Sequence, residues 1–489
     1  MELLSPAGNV KKLYYAYAYG ADAAYIGLKK FSLRVKADNF YEDEYKRVIE
    51  LKKQFPDKKL HCALNISFHD SDIEQFMRDM DYFHLYPIDA FIIQDIGILP
   101  VLQKHFPEAK LHLSTQASCV NGSAVKMYKN MGFSRIVLGR EASLDDIRKI
   151  KDFVPDMELE AFCHGAMCIA YSGRCLMSAY LTGRSAQAGF CSHTCRWNFD
   201  VMTTKKADQD KQASGKKNLS AEQAKLIAES GTLLLREHER PDEYFPVFEG
   251  ENFTAVLSSK DLCMIEHLDD MKKSGLDSIK IEGRMKSIYY VALVTRAYRK
   301  ALDALEGKIS KVQAAPFIAE LENVSHREST TGFFYDRTEA DKTAYGASDS
   351  PYELGAIVEE KLTDDFEREF FKISGTAAKE VKTKKTSCGE KDITSGQKSM
   401  KKKSGWKFYR LEALNKFDPS MDLEVITPET VSLILKSGSW KIADPETGLE
   451  RTWVCNGHKC VLYAPDDIPT GALIRIKDSG YVSGKIRVT

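Results

Sequence analysis

The sequence predicts an α/β fold, a (β/α)8 TIM-like barrel with a cysteine-rich insertion, followed by a small C-terminal antiparallel β domain. Three observations carry that prediction. Eight short apolar runs alternate with segments of helical spacing between Glu2 and Ile281, and a long amphipathic stretch follows the eighth. Polar residues collect just beyond the ends of those runs. After about Pro351 the texture changes to short alternating stretches without helices between them.

The eight runs are Glu2–Leu4, Ala23–Gly27, Leu60–Asn65, Ala90–Gln94, Lys110–Leu113, Arg135–Leu138, Glu158–Phe162 and Ser278–Ile281. Between them, Val10–Tyr19, Asp72–Tyr82, Ser123–Asn130 and Leu144–Phe153 place apolar residues at three- and four-residue intervals. Strands that alternate with helices form parallel βαβ units, and eight such strands close a barrel. An open doubly wound sheet needs fewer strands and leaves an edge. The amphipathic segment from Ser287 to about Leu305 is then the helix that closes the barrel. These elements bound a barrel domain over residues 1–345.

Chemistry in such barrels sits where strands run into the following loops. Ser5 follows the first run, Asn65 closes the third, and Gln94 and Asp95 follow the fourth. Ser114 and Gln116 follow the fifth, Arg140 and Glu141 the sixth, His164 the seventh, and Glu282 and Arg284 the eighth. Any one of them also reads as a helix cap or turn residue. Together they read as a ring around one pocket.

The interruption between the seventh and eighth strands, residues 163–257, holds a cysteine segment (163–200) and an insertion (203–243). Thr203–Lys217 is rich in Lys, Gln and Ser and reads as a mobile insertion. Ser220–Leu235 has helical spacing. In the C-terminal domain, 351–489, Leu354–Val358, Phe366–Ile373, Trp406–Leu411, Asp422–Ile426 and Ala472–Ile476 read as strands. Residues 376–404 form a basic, low-complexity loop. That loop reads as solvated chain, with contact to an RNA backbone as the alternative.

Composition bounds the function classes. Hydrophobic residues make up 43% and charged residues 29%, as in a soluble globular protein. Formal net charge is zero, so bulk charge steers no polyanion and a nucleic-acid surface has to be local. No basic stretch followed by an apolar run opens the chain, and no window approaches the length needed to span a bilayer. The expectation is a cytoplasmic protein that does not engage the membrane. Its eleven cysteines are then reduced, and a tight cluster of them points to a metal or to catalysis.

The cluster lies in ELEAFCHGAMCIAYSGRCLMSAYLTGRSAQAGFCSHTCRWN, which begins at Glu158. Cys168, Cys175, Cys191 and Cys195 can converge with little loop to close. Thiolates select zinc, copper(I) or iron–sulfur clusters. Structural zinc favours two close cysteine pairs, and here only Cys191 and Cys195 are close. The wide spacing among small residues favours a 4Fe-4S cluster, with zinc as the competing metal. Cys163, inside an apolar run, reads as a buried structural thiol, and Cys263 as a substitute ligand. A protease reading draws Cys163 with His164, or Cys168 with His193, as a thiol–imidazole pair. Adjacent side chains on a strand face opposite ways, which argues against the first of these. Neither a G-x-S-x-G elbow nor an H-E-x-x-H helix is present.

The motifs ELLSPAGN, GADAAYIGL, LSTQAS, RIVLGRE, FCHGAMCIAYSGRCLMS…GFCSHTCRW and SSKDLCMI…DSIKIEGRMKS resemble the peptidase U32, or collagenase-like, family over roughly Met1 to Tyr298. The insertions at Thr203–Glu239 and 376–404 depart from the family's compact pattern. The family name implies proteolysis. Members that are iron–sulfur proteins supporting RNA or ubiquinone-precursor hydroxylation imply a different chemistry, and their cysteines match Cys168, Cys175, Cys191 and Cys195. Chain length and the β domain are most similar to the branch that hydroxylates a tRNA wobble uridine using prephenate. The resemblance thus implies a 4Fe-4S cluster, prephenate as co-substrate, tRNA as partner, and a paralogous U32 chain as a further candidate partner. Substrate-binding candidates are Arg140, Arg174, Arg184 and Arg284 for the prephenate carboxylates, with Glu282, His164, Gln116 and Asn65 beside them. For each arginine the competing role is a structural ion pair with Glu141 or Glu282. A non-catalytic iron–sulfur accessory protein is the third reading.

Overall fold

The computed structural model describes residues 1–28, 30–32, 39–41, 43–182, 185, 191, 195, 233–236, 244–250, 253–255, 259–335, 350–384 and 399–478. Thr203–Lys217 lies outside them, as do Arg184, His193, residues 385–398 and most of Ser220–Leu235.

The strands in chain order are β1 (Glu2–Pro6), β2 (Ala23–Ile26), β3 (Lys59–Leu64), β4 (Ala90–Ile93), β5 (Lys110–Leu113), β6 (Arg135–Val137) and β7 (Glu158–Ala166). They continue with β8 (Leu233–Arg236), β9 (Tyr244–Gly250), β10 (Phe253–Ala255), β11 (Asp261–Cys263), β12 (Ser278–Ile281) and β13 (Ser329–Thr330). Strands β1 to β7 pair in sequence order, all parallel. Strand β12 closes the ring by pairing in parallel with both β1 and β7. The barrel is therefore closed and eight-stranded, built from the eight runs read in the sequence. Barrel strands are covered on both faces, so they read as continuous apolar runs. Ala90–Ile93 (AFII) is buried at every position.

Strand β7 runs past Phe162 to Ala166, and its extension pairs antiparallel with β11. Strands β8, β9 and β10 form a separate antiparallel sheet. The helical reading of Ser220–Leu235 is corrected at its end, where Leu233–Arg236 is a strand hydrogen-bonded to β9. Its Leu-Leu-Leu run fits a strand as readily as a helix, and pairing decided it. The helix Ile288–Leu305 starts at Ser287, whose hydroxyl accepts a hydrogen bond from Tyr290 N. Twelve of its residues are buried, because it packs against both β1 and the helix Val10–Ala18.

The barrel interior is polar toward the strand N-termini. Arg135 pairs with Glu2, with Glu158 at 2.7 Å and with Glu160 at 3.1 Å, while Lys280 reaches Glu160 at 3.2 Å. Burial pushes the Glu2 carboxyl up, but the Arg135 guanidinium outweighs it and holds Glu2 at about 2. His61 and His112 meet edge to face in this interior, ring centroids 4.9 Å apart.

The C-terminal unit is built on Ala319–Val324 and the chain from Ser350. Its strands are β14 (Tyr352–Lys361), β15 (Lys407–Ala413), β16 (Leu423–Ile426), β17 (Leu433–Leu435), β18 (Lys441–Ala443), β19 (Lys459–Ala464) and β20 (Leu473–Lys477). They form one antiparallel sheet in the order β17-β16-β20-β14-β15-β19-β18. Residues alternate between two cores: Tyr409, Leu411 and Leu462 on one face, Phe408, Val461 and Tyr463 on the other.

Two readings are corrected in this unit. Phe366–Ile373 is not a strand but part of a helix, Asp364–Lys384. Phe366, Phe370 and Phe371 sit at helical spacing and pack on Phe408, and Asp364, Asp365 and Glu367 suit the positive N-terminal end of a helix. The same helix takes in 376–384, so the start of the basic segment is helical rather than loop. At its other end Met400 is buried, with its N–H donating to Ser374 Oγ at 3.2 Å.

Candidate active site

A cavity of about 280 Å³ opens at the C-terminal ends of the barrel strands. Asn65 at the end of β3, Gln116 after β5, Arg140 after β6, and Glu282 and Arg284 after β12 all line it, as does Ser114. The ring read from the strand ends is thus largely one cavity wall.

Its other members serve the scaffold. Ser5 Oγ meets Thr295 Oγ1 at 2.7 Å inside the barrel wall. Asp95 accepts from Phe68 N and Gly97 N, and Gln94 donates to Ser67 Oγ. Glu141 accepts from Ser172 N at 2.7 Å. His164 does not line the cavity. Because β7 runs on to Ala166, His164 lies within the strand, buried against Tyr290 and Tyr298 and 3.3 Å from Tyr298 Oη. Burial pushes its imidazole down to about 3, so it is neutral there. Arg174 is exposed and does not line the cavity, while Arg184 lies outside the described residues.

Four cationic side chains line the cavity: Arg140, Arg284, Lys280 and Lys286. Arg140 has its Cζ over the Phe162 ring, 3.9 Å from the ring centre, and pairs with Glu282 at 3.6 Å. The ion-pair role foreseen for it is real, but the pair is loose and its partner also faces the cavity. Arg284 is buried and donates to Ser32 Oγ at 2.9 Å. Lys280 also reaches the cavity, with its Nζ 4.6 Å from the centre of the Tyr25 ring. Sequence reasoning passed over Lys280. The signal that could have found it is a lysine inside a four-residue barrel strand, where every side chain is buried.

Cys168, Cys175, Cys191 and Cys195 all line this same cavity. Cys168 is exposed and the other three are half-buried, and none is in a disulfide. The chain between the first two is fastened to the loops after β5 and β6. Ser172 donates from its N–H to Glu141, accepts at Oγ from Arg140 N, and accepts at its carbonyl from Ser118 Oγ. Gly173 has φ +73°, and a Cβ there would stand 1.9 Å from Gln116 O. Only glycine tolerates both that conformation and that approach. Among the described residues no group of three or more His, Cys, Asp or Glu side chains stands ready to hold a metal ion. The four thiols thus share one cavity without converging on a point. As four thiols lining one cavity, they are a donor set of the kind that suits a soft metal centre.

The other thiols are placed differently. Cys263 lies opposite His164 in the β11–β7 register and does not line the cavity. Cys163 is buried and donates from Sγ to Lys280 O at 3.4 Å. Burial and the neighbouring Cys263 push its thiol well above the usual range. Cys163 is therefore held as the thiol and is poorly placed as a nucleophile. No helix among the described residues is long and apolar enough to cross a membrane.

Comparison with known proteins gives a consistent picture. The chain is 37% identical over 372 residues to tRNA hydroxylation protein P of Escherichia coli (strain K12), covering 74% of this chain and 82% of that one. It is 38% identical over 345 residues to the protein of that name from Haemophilus influenzae, covering 69% and 74%. It is 33% identical over 367 residues to the 23S rRNA 5-hydroxycytidine C2501 synthase of E. coli, covering 74% of this chain and 48% of that one. Residues 8–344, which take in seven of the eight barrel strands and the cysteine segment, match the sequence profile of peptidase family U32, and the chain belongs to that family.

Proposed function

We propose that this protein is an RNA-hydroxylating enzyme that acts on the 5-position of a wobble uridine in tRNA, with prephenate as the hydroxyl source. The observation that carries the reading is that four thiols and two cavity arginines line one cavity at the barrel mouth. A peptidase needs an activated nucleophile, whereas a cationic cavity walled by thiols suits a small anionic co-substrate beside a metal centre. Relatives named for tRNA hydroxylation match about three quarters of the chain.

Each part of the cavity then has a role. Arg140 and Arg284 receive the prephenate carboxylates, because a guanidinium fork matches a carboxylate in bidentate geometry. Asn65 and Gln116 orient polar groups of the ligand, and Glu282 holds Arg140 until the ligand arrives. Cys168, Cys175, Cys191 and Cys195 would hold a 4Fe-4S cluster, which supplies redox or Lewis-acid chemistry beside the cavity. The uridine enters unstacked, as single-stranded bases can. We place the protein in the cytoplasm with its tRNA, and a paralogous U32 chain is its candidate partner.

The test is mass spectrometry of tRNA from a deletion strain. Loss of 5-hydroxyuridine derivatives, restored by the wild-type chain but not by Cys168→Ala or Arg140→Met, is the expected result. Unchanged wobble uridines would sink the reading. Restoration by Arg140→Met but not Cys168→Ala would favour an accessory iron–sulfur protein instead. Iron and sulfide in anaerobically purified protein decide between the cluster and zinc.

A further inference from the structure

Lys280 has a setting that its pairing with Glu160 does not account for. It is 4% exposed, on the third residue of a four-residue barrel strand, yet it lines the cavity. Its Nζ is near two aromatic rings that also line the cavity, 4.6 Å from the centre of Tyr25 and 5.5 Å from that of Phe162. Arg140 stands 3.9 Å over the same Phe162 ring, so the guanidinium and the amine border one ring of the cavity wall. Glu160, 3.2 Å from Nζ, is bound by Arg135 at 3.1 Å as well. Lys280 can therefore lose its charge without leaving a buried carboxylate unpaired.

We propose that Lys280 is an imine-forming amine that condenses with the keto group of an α-keto acid held in the cavity. The choice of an α-keto acid rests on the prephenate reading, since prephenate carries a pyruvyl side chain. Arg140 anchors the carboxylate and brings the adjacent keto carbon over Phe162. The Lys280 ammonium passes one proton to Glu160, and the free amine attacks the keto carbon. A C–N bond forms, the carbonyl π pair moves to oxygen, and a proton moves from nitrogen to that oxygen. Glu160 then returns its proton to the departing hydroxyl, which leaves as water. One ammonium and one ketone become one protonated imine and one water, with charge conserved and no electrons exchanged with any outside group. Burial pushes the Lys280 amine below the usual lysine range, which favours the neutral form the attack needs. The imine fixes the ligand at the cavity floor.

The full-length, anaerobically purified protein is incubated with pyruvate and, separately, with phenylpyruvate, and each mixture is reduced with sodium borohydride and peptide-mapped by mass spectrometry. The expected result is a gain on the Lys280 peptide equal to the keto acid less one oxygen atom, absent without keto acid. Lys280→Arg retains the charge opposite Glu160 and should abolish the label with its circular dichroism unchanged. Glu160→Gln should slow the labelling. If neither keto acid labels Lys280, or if Lys280 labels no more than surface lysines, the proposal is overturned. Mapping wild-type protein needs no variant, so a misfolded variant does not rescue the idea. Labelled Lys280 in a protein whose deletion leaves tRNA unchanged would sink the RNA reading and keep the imine. An unlabelled Lys280 in a protein whose deletion removes 5-hydroxyuridine would do the reverse.

Discussion

Arg140 concentrates the chemistry of the cavity in one side chain. Its guanidinium is held by the Phe162 ring and by Glu282 at 3.6 Å, so it is positioned before any ligand arrives. Preorganisation of this kind lowers the ordering cost of binding. On the proposed reading, Arg140→Met weakens prephenate binding by about 1.5–3 kcal/mol, the range for a hydrogen bond to a charged group. Titration calorimetry checks this, and equal affinity for the variant would remove Arg140 from the binding site. Gly173 acts at the same scale by a different physics. Gly173→Ala puts a Cβ into Gln116 O at a positive φ, so the cysteine segment has to lift from the barrel. On the proposal that the four cysteines hold an iron–sulfur cluster, iron per chain falls sharply while the far-ultraviolet circular dichroism stays the same. Full iron loading in Gly173→Ala would show that the segment does not need this contact.

Among the elements, β7 and the helix Asp364–Lys384 show how neighbours override local pattern. The β7 extension exists because β11 pairs with it, and that pairing turns His164 into a wall residue. The helix Asp364–Lys384 exists because Phe366, Phe370 and Phe371 share a face that packs on Phe408 and Tyr463. Phe370 is 1% exposed at the centre of that contact. Phe370→Ala should cost about 3–5 kcal/mol of the C-terminal unit's stability. Urea unfolding followed by Trp fluorescence measures it, and a loss below about 1 kcal/mol would mean the helix is not anchored there.

For the molecule as a whole, buried histidines tie stability to pH. Burial pushes His61 down to about 4 and His164 to about 3, from an ordinary value of 6.5. Their folded pKa values lie below the unfolded ones, so the unfolded chain takes up protons first as the solution is acidified. Their contribution is fully present above about pH 6.5 and is lost as pH falls toward 4. Glu2, held at about 2 against an ordinary 4.5, adds a further loss as pH falls from 4.5 to 2. The melting temperature should therefore decline from pH 7 to pH 4, and His61→Gln should flatten part of that slope. Differential scanning calorimetry across that range tests it; a flat profile for the wild type would contradict the burial of these rings.

Much of this molecule is legible in its sequence. The eight barrel strands are readable because strands covered on both faces are short apolar runs bounded by polar residues. Asn65, Gln116, Arg140, Glu282 and Arg284 are readable because the residue after a barrel strand has nowhere to go but the mouth. The four cysteines announce themselves by type and spacing. Three things depended on tertiary structure. His164 lies off the cavity because a strand pairing beyond its own segment lengthened β7. Lys280 entered it because its position inside an apolar run hid it until closure of the ring brought Glu160 and Arg140 around it. Phe366–Ile373 became a helix because an aromatic-rich run fits either periodicity until a packing partner selects one. In each case contacts between residues distant in sequence decided the outcome, and a local pattern carries no record of them.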